Sequence, residues 1–133
     1  MRVDDRFELA VEAVGRVYAD KFGLQVVNVR IGSYLVEPLD ERHLATWLSP
    51  RDCVAAFVAA MTAPDVQYAT FYGVSANTRR FWSLDASIAL GFTPVDDSEI
   101  YADRVAPWPG RTDVQGGAFA SPEYTLDRQR PLT

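Results

Sequence analysis

The chemistry of this chain is concentrated between Arg30 and Asp52, R-I-G-S-Y-L-V-E-P-L-D-E-R-H-L-A-T-W-L-S-P-R-D, where Ser33, Glu37, Asp40, Glu41, Arg42, His43 and Thr46 crowd one strand end and one loop. Arg42 carries a planar guanidinium, which can give two parallel charge-assisted hydrogen bonds to a carboxylate. Its acidic neighbours Asp40 and Glu41 offer the plainer alternative of a charged surface loop. Ser33 follows Gly32, where a serine either holds a ligand hydroxyl or ties a turn. His43 is the only histidine and has no partner pattern, so it is expected to be a solvent-exposed loop residue. Asp52 is expected to cap a helix start. A helix N-terminus can lower a thiol pKa, but Val54 and Phe57 beside Cys53 favour a small core side chain.

These side chains need elements to position them. Upstream, Phe7, Val11, Val14 and Tyr18 recur at the spacing of an amphipathic helix over 4–22, and Gly23 supplies its left-handed end. Residues 24–31 are short, β-branched and largely apolar, the pattern of a strand covered on both faces in a parallel sheet. Downstream, Ser49-Pro50-Arg51-Asp52 starts a helix whose expected apolar face is Cys53, Val54, Phe57, Val58 and Met61, and Ala63-Pro64 stops it. Residues 68–74 form a second strand. A helix follows over about 84–90, ended by Gly91, and Asp96-Asp97-Ser98-Glu99 can start one more. Asn77, Arg79 and Arg80 follow the second strand and point either into the same cleft or to surface acids. Trp47, Phe81 and Trp82 are expected in the core. From Ala106 onward four prolines and three glycines without periodicity are expected to form an extended tail over 106–133, either docking on a surface through Trp108, Phe119 and Tyr124 or forming a mobile terminus. Two strands make a poor sheet alone, so the whole reads as the second part of a larger α/β arrangement.

Composition narrows the classes. A chain of 133 residues with 48% hydrophobic residues fits one folded domain. Its net charge of −5, with scattered basic residues, gives no footprint for DNA or RNA. No apolar run approaches a membrane span, and the acidic start M-R-V-D-D-R-F-E lacks the apolar core of a signal peptide, so a cytoplasmic protein is expected. One cysteine and one histidine leave no Cys/His zinc set and no internal disulfide, and no metal is expected.

Several segments carry a resemblance. D-K-F-G at 20–23, V-R-I-G-S at 29–33, E-P at 37–38, L-A-T-W-L-S at 44–49 and Y-G-V-S-A-N-T-R-R at 72–80 resemble the C-terminal half of extended short-chain dehydrogenases of the NAD-dependent epimerase/dehydratase group, nearest to uronate dehydrogenases. The resemblance covers about residues 6–105. It implies an α/β, partial Rossmann-type fold with few parallel strands and three to four helices, and a substrate-binding unit over 1–105. It also implies that Ser33 contacts a sugar acid and Arg42 clamps its carboxylate, with Arg30, Ile31 and Gly32 on the cofactor side. A helix matching 4–22 belongs to the dimer interface in that family, so self-association is expected.

The family's other half has no counterpart here. Its glycine-rich phosphate turn is missing, since no glycines fall in G-x-G or G-x-x-G-x-x-G. Its catalytic Tyr-x-x-x-Lys, in which lysine lowers the tyrosine pKa for proton transfer, is missing too. Ungapped alignment back from D-K-F-G puts Asp4 and Glu8 at those positions, and none of the six tyrosines has a lysine four residues on. Tyr124 and Arg128 match the spacing, but arginine does not replace a compact ammonium. No catalytic residue is therefore assigned, and NAD is expected to be a cofactor of the family that this chain does not bind alone. Three accounts follow: a sugar-acid dehydrogenase substrate domain needing a completing dinucleotide-binding chain, a non-catalytic oligomerisation or sugar-acid-binding module, or a truncated remnant.

Overall fold

A computed structural model describes the backbone of residues 3–110 and 115–117, with side chains in the first helix described from residue 9 onward. The long helix α1 (Val3–Phe22) leads through Gly23, at φ +68°, into strand β1 (Val26–Ile31). The Gly23 N–H closes the helix on the Ala19 carbonyl at 3.1 Å, the left-handed end expected of a glycine there.

Strand β1 pairs in parallel with β4 (Tyr68–Gly73), Val26 opposite Tyr68 and Ile31 opposite Gly73. Alternation along β1 sorts its side chains between two helices. Val26 and Asn28 face Gly15 of α1, where a Cβ would lie 3.0 Å from Val26. Val27 and Val29 turn the other way, onto Leu48, Ala56 and Phe71. Helix α3 (Pro50–Thr62) packs on that second face, giving a helix–sheet–helix arrangement around two parallel strands. Among the described residues, four α-helices and parallel strands make this an α/β fold, as expected from the sequence.

Helix α3 starts as its sequence specifies: Ser49 caps it, accepting from the Asp52 N–H at 3.0 Å, and Pro50 stands in its first turn. Two expectations for this helix are corrected. The buried positions are Asp52, Ala56 and Ala59, whereas Val54, Phe57, Val58 and Met61 are exposed. Small alanine side chains let the helix approach the sheet closely, and the larger apolar residues lie on the sides left uncovered. Asp52 is not the cap; its carboxylate accepts from the N–H groups of Val95 and Asp96, both at 3.0 Å. It fastens the segment after helix α4 (Asp85–Ala89) to α3.

The loop between β1 and α3 has structure that local periodicity did not disclose. It holds strand β2 (Ser33–Tyr34), helix α2 (His43–Thr46) and strand β3 (Trp47–Leu48), with Ser33 opposite Trp47 in a second parallel pair. Such short elements have no periodicity to read. Leu44, Thr46, Leu48, Val74 and Asn77 around them are fully buried. Asn77 ties the layer together, donating to the Trp47 carbonyl at 2.8 Å and accepting from the Ser98 N–H at 3.2 Å. Ser98 opens a short 3-10 turn (Ser98–Tyr101), less than the helix to about 105 that its sequence predicts.

Among the described residues no helix is long and apolar enough to cross a membrane. Leu9, Val11, Val14, Val17, Tyr18 and Phe22 of α1 are exposed, Val11 to 69%.

Candidate functional site

The site lies where β1 ends. Gly32 brings the strand against α2 and β3 so closely that a Cβ would sit 2.2 Å from the Thr46 carbonyl oxygen and 2.8 Å from Val74. Only glycine permits that approach. The space is filled by protein atoms, so Gly32 is not an open cradle for a phosphate.

That approach puts Ser33 beside the start of α2. The Ser33 hydroxyl lies 2.9 Å from Thr46 Oγ1, and Arg42 Nη1 donates to it at 3.3 Å. Thr46 Oγ1 donates back to the Arg42 carbonyl at 3.3 Å. Ser33 and Arg42, nine residues apart in sequence, are thus brought together by the crossing of β2 and α2. Thr46, given no role from sequence, is the hinge of that pair.

Arg42 is half-buried. Burial pulls its pKa down, opposed by the charge of Asp40. Arg16, Arg30, Arg51 and Arg79 each face a carboxylate, of Asp20, Glu12, Asp96 and Glu99 respectively. Arg42 has no carboxylate partner among the described residues. The two acids beside it in sequence are engaged elsewhere: Asp40 accepts from the His43 N–H at 3.0 Å, and Glu41 accepts from the Trp108 N–H at 3.2 Å. The guanidinium instead donates from Nη2 to the Gln115 carbonyl at 2.6 Å, and its carbon lies 5.9 Å from the Trp108 ring centre. Its Nε is buried without a partner among the described residues.

A second cluster adjoins the first through Gln115. Gln115 Oε1 accepts from Trp82 Nε1 at 3.2 Å, and Trp82 stacks on Tyr72 with ring centres 4.9 Å apart. The Tyr72 hydroxyl accepts from Arg30 at 3.3 Å. Arg30 is otherwise held by Glu12 of α1 through two bonds of 2.7 and 2.9 Å, and that pairing raises its pKa. Ile31 is exposed beside it.

Other sequence candidates fall outside this constellation. His43 is half-buried rather than solvent-exposed, because it opens α2 and its Nδ1 accepts from the Leu39 N–H at 3.3 Å. Burial lowers its pKa, with Asp40 opposing and Arg42 adding to the shift. Arg79 pairs with Glu99 at the surface through two 2.8 Å bonds, and Arg80 donates to the Asn77 carbonyl. Trp47 is in the core as expected, but Phe81 is exposed and Trp82, half-buried, stacks on Tyr72, because the chain comes to the surface from Thr78 onward. Cys53 packs partly buried against the core, and burial raises its thiol pKa. Of the tail aromatics, Trp108 is described, whereas Phe119 and Tyr124 lie outside the described residues, as does Arg128. The side chains of Asp4 and Glu8 are outside them too.

No protein-family model matches the chain. Over 116 residues it is 35% identical to a uronate dehydrogenase of Pseudomonas syringae, a match covering 83% of this chain and 42% of that protein. The chain is uronate dehydrogenase-like. It spans less than half the length of the curated relatives it matches. The fold agrees: a uronate dehydrogenase from Agrobacterium tumefaciens, a Y136A mutant complexed with NAD, superposes with a TM-score of 0.74 at 35% identity, over 82% of this chain and 44% of that one. An NAD-dependent glucose-6-phosphate dehydrogenase of Haloferax volcanii is 43% identical over 93 residues, covering 67% of this chain and 35% of its own length. The uronate dehydrogenase-like chain thus matches a C-terminal-like part of a Rossmann-type dehydrogenase, and its site lies at the carboxyl end of a parallel strand, where such sheets bind ligands.

Proposed function

We propose that this chain is the substrate-recognition part of an NAD-dependent sugar-acid dehydrogenase, with Arg42 as the clamp on the carboxylate and Ser33 as a hydroxyl contact. The observation that carries the reading is the state of Arg42. It is half-buried at the strand end, joined to Ser33, and lacks a carboxylate partner among the described residues where four other arginines each have one. A guanidinium out of full solvent contact gains most from an anionic ligand.

Hydride transfer belongs, in this reading, to a completing dinucleotide-binding polypeptide. NAD supplies the hydride acceptor when that part is present. This chain's residues bind and orient the sugar acid, and Ile31 and Gly32 stand on the cofactor side. Arg30 is less suited to that side than its position implies, because Glu12 and Tyr72 already engage its guanidinium. The lack of Tyr-x-x-x-Lys supports assigning this chain no proton transfer of its own.

Calorimetric titration of galacturonate or glucuronate should give heat with the wild type, and Arg42→Ala should weaken binding by about 10- to 100-fold. Silence with the wild type removes the reading. Purified chain mixed with NAD and either uronate should form no NADH; turnover would overturn the division of labour. A second role, self-association, is favoured by the apolar face that Val11, Val14, Val17 and Phe22 leave exposed on α1. A compact monomer in sedimentation would end that role.

A further inference from the structure

The guanidinium of Arg42 is only partly satisfied, and the pattern of what is missing is informative. Nη2 donates to the Gln115 carbonyl at 2.6 Å, while the neighbouring Nε is buried with no acceptor among the described residues. Nε and Nη2 together form the side of an arginine that takes both oxygens of a carboxylate in parallel. One carbonyl oxygen fills one of those two positions. The other is covered without being bonded, because Gly117 is buried, at φ +67°, and a Cβ there would stand 3.0 Å from both Cζ and Nε. Glycine is what lets the backbone lie flat on the guanidinium.

The same three residues are also tied to the second cluster. Gln115 Oε1 accepts from Trp82 Nε1 at 3.2 Å, and Trp82 in turn stacks on Tyr72. Both ties of residue 115 are to exposed or half-buried groups, and each is a single hydrogen bond. The tie to Trp82 is neutral and weak, whereas the tie to Arg42 is charge-assisted and yields only to a stronger acceptor.

We propose that residues 115–117 form a displaceable strap seated in the carboxylate position of Arg42, and that a sugar-acid carboxylate opens it by taking Nε and Nη2 together. The proposal rests on the reading of Arg42 as the sugar-acid clamp. A carboxylate brings two charged acceptors and satisfies the orphaned Nε, whereas the carbonyl offers one neutral acceptor, so the exchange favours the ligand. A neutral sugar offers only hydroxyl oxygens, acceptors no stronger than the carbonyl they would displace, and gains nothing from the exchange. The strap therefore acts as a specificity element: it sets a threshold that an anion passes and an uncharged sugar does not. Once displaced, it releases Trp82 from Gln115.

Hydrogen–deuterium exchange of the full chain, read at the amides of 115–117, combined with calorimetry, tests this. Saturating galacturonate should speed exchange there, and galactose at the same concentration should not. Gln115→Ala cuts the tie to Trp82 while sparing the folded core, and should bind galacturonate about two- to tenfold more tightly because the strap opens more easily. Heat of binding with exchange at 115–117 unchanged or slowed, and with Gln115→Ala no tighter, would overturn the strap and leave the Arg42 clamp standing. No heat from either protein would overturn the clamp and, with it, the displacement.

Discussion

The two sides of this molecule are finished to different degrees. At the strand ends, Leu44, Thr46, Leu48, Asp52, Val74, Asn77 and Ser98 are fully buried, and the carboxylate of Asp52 and the amide of Asn77 bind backbone groups across loops. Along α1 and the outer side of α3, Val11, Val14, Val17, Phe57 and Met61 face outward, and Val27, Val29, Phe57 and Met61 line an open groove. Hydrogen-bonded loops are saturated by directional partners supplied within the chain. Apolar faces are saturated only by area, and among the described residues nothing covers the outer sides of both helices. The strand-end layer is therefore largely closed by its own residues, Arg42 Nε and Trp108 Nε1 excepted, whereas the helical sides stay open among the described residues.

The sharpest way to break this contrast is at Asp52. Asp52→Ala strips the acceptor from two backbone N–H groups, and should destabilise the fold by about 3 kcal/mol, measured by urea denaturation. A loss below about 1 kcal/mol would mean that the loop end is less tightly closed than its hydrogen bonds imply.

Acid tests the seam between the two regions, where Glu12 of α1 holds Arg30 of β1. The hydrogen bond from Arg30 holds the Glu12 carboxyl below its ordinary value of 4.5, against the opposing effect of burial. A depressed carboxylate pKa contributes stability that is present above the unfolded value and is lost as pH falls through the folded one. Wild type should exceed Glu12→Gln by about 1 kcal/mol near pH 7, with the gap closing below pH 4.5. A gap that persists undiminished into strong acid would assign the difference to packing instead. Asp96 shifts in the same direction: burial raises its pKa, but bonds from Ser49 and Arg51 outweigh it.

The smallest expected effect is on the open side. Val14→Lys should change the melting of the chain by no more than about 0.5 kcal/mol, because Val14 is exposed, while weakening self-association in sedimentation. A large loss of stability in dilute monomer would show that α1 is packed more fully than its exposure indicates.

Legibility followed the range of the forces involved. The long helix, its glycine end, the Ser49-Pro50 start and the two main strands were readable, because each is specified by neighbours within a few residues. The face that α3 buries was misread, since periodicity reports which residues are apolar and not which side meets the sheet. The two-residue strands β2 and β3 and the helix α2 were invisible because they exist only through contacts across the loop. Ser33 and Arg42 were singled out by a resemblance; Thr46 was only one of the polar crowd, Trp108 only a tail aromatic able to dock somewhere and Trp82 an expected core residue, while Gln115 had no local signal.

By itself the sequence determined the types of the longer elements and the choice of an arginine and a serine near one strand end, because backbone propensity and side-chain chemistry travel with the residue. Only the tertiary structure decided that Asp40 and Glu41 bond to groups other than Arg42, that Thr46 braces it against Ser33, and that the carbonyl of Gln115 reaches it from 73 positions along the chain. A charge is written in the sequence; whether it has a partner depends on where folding brings every other charge.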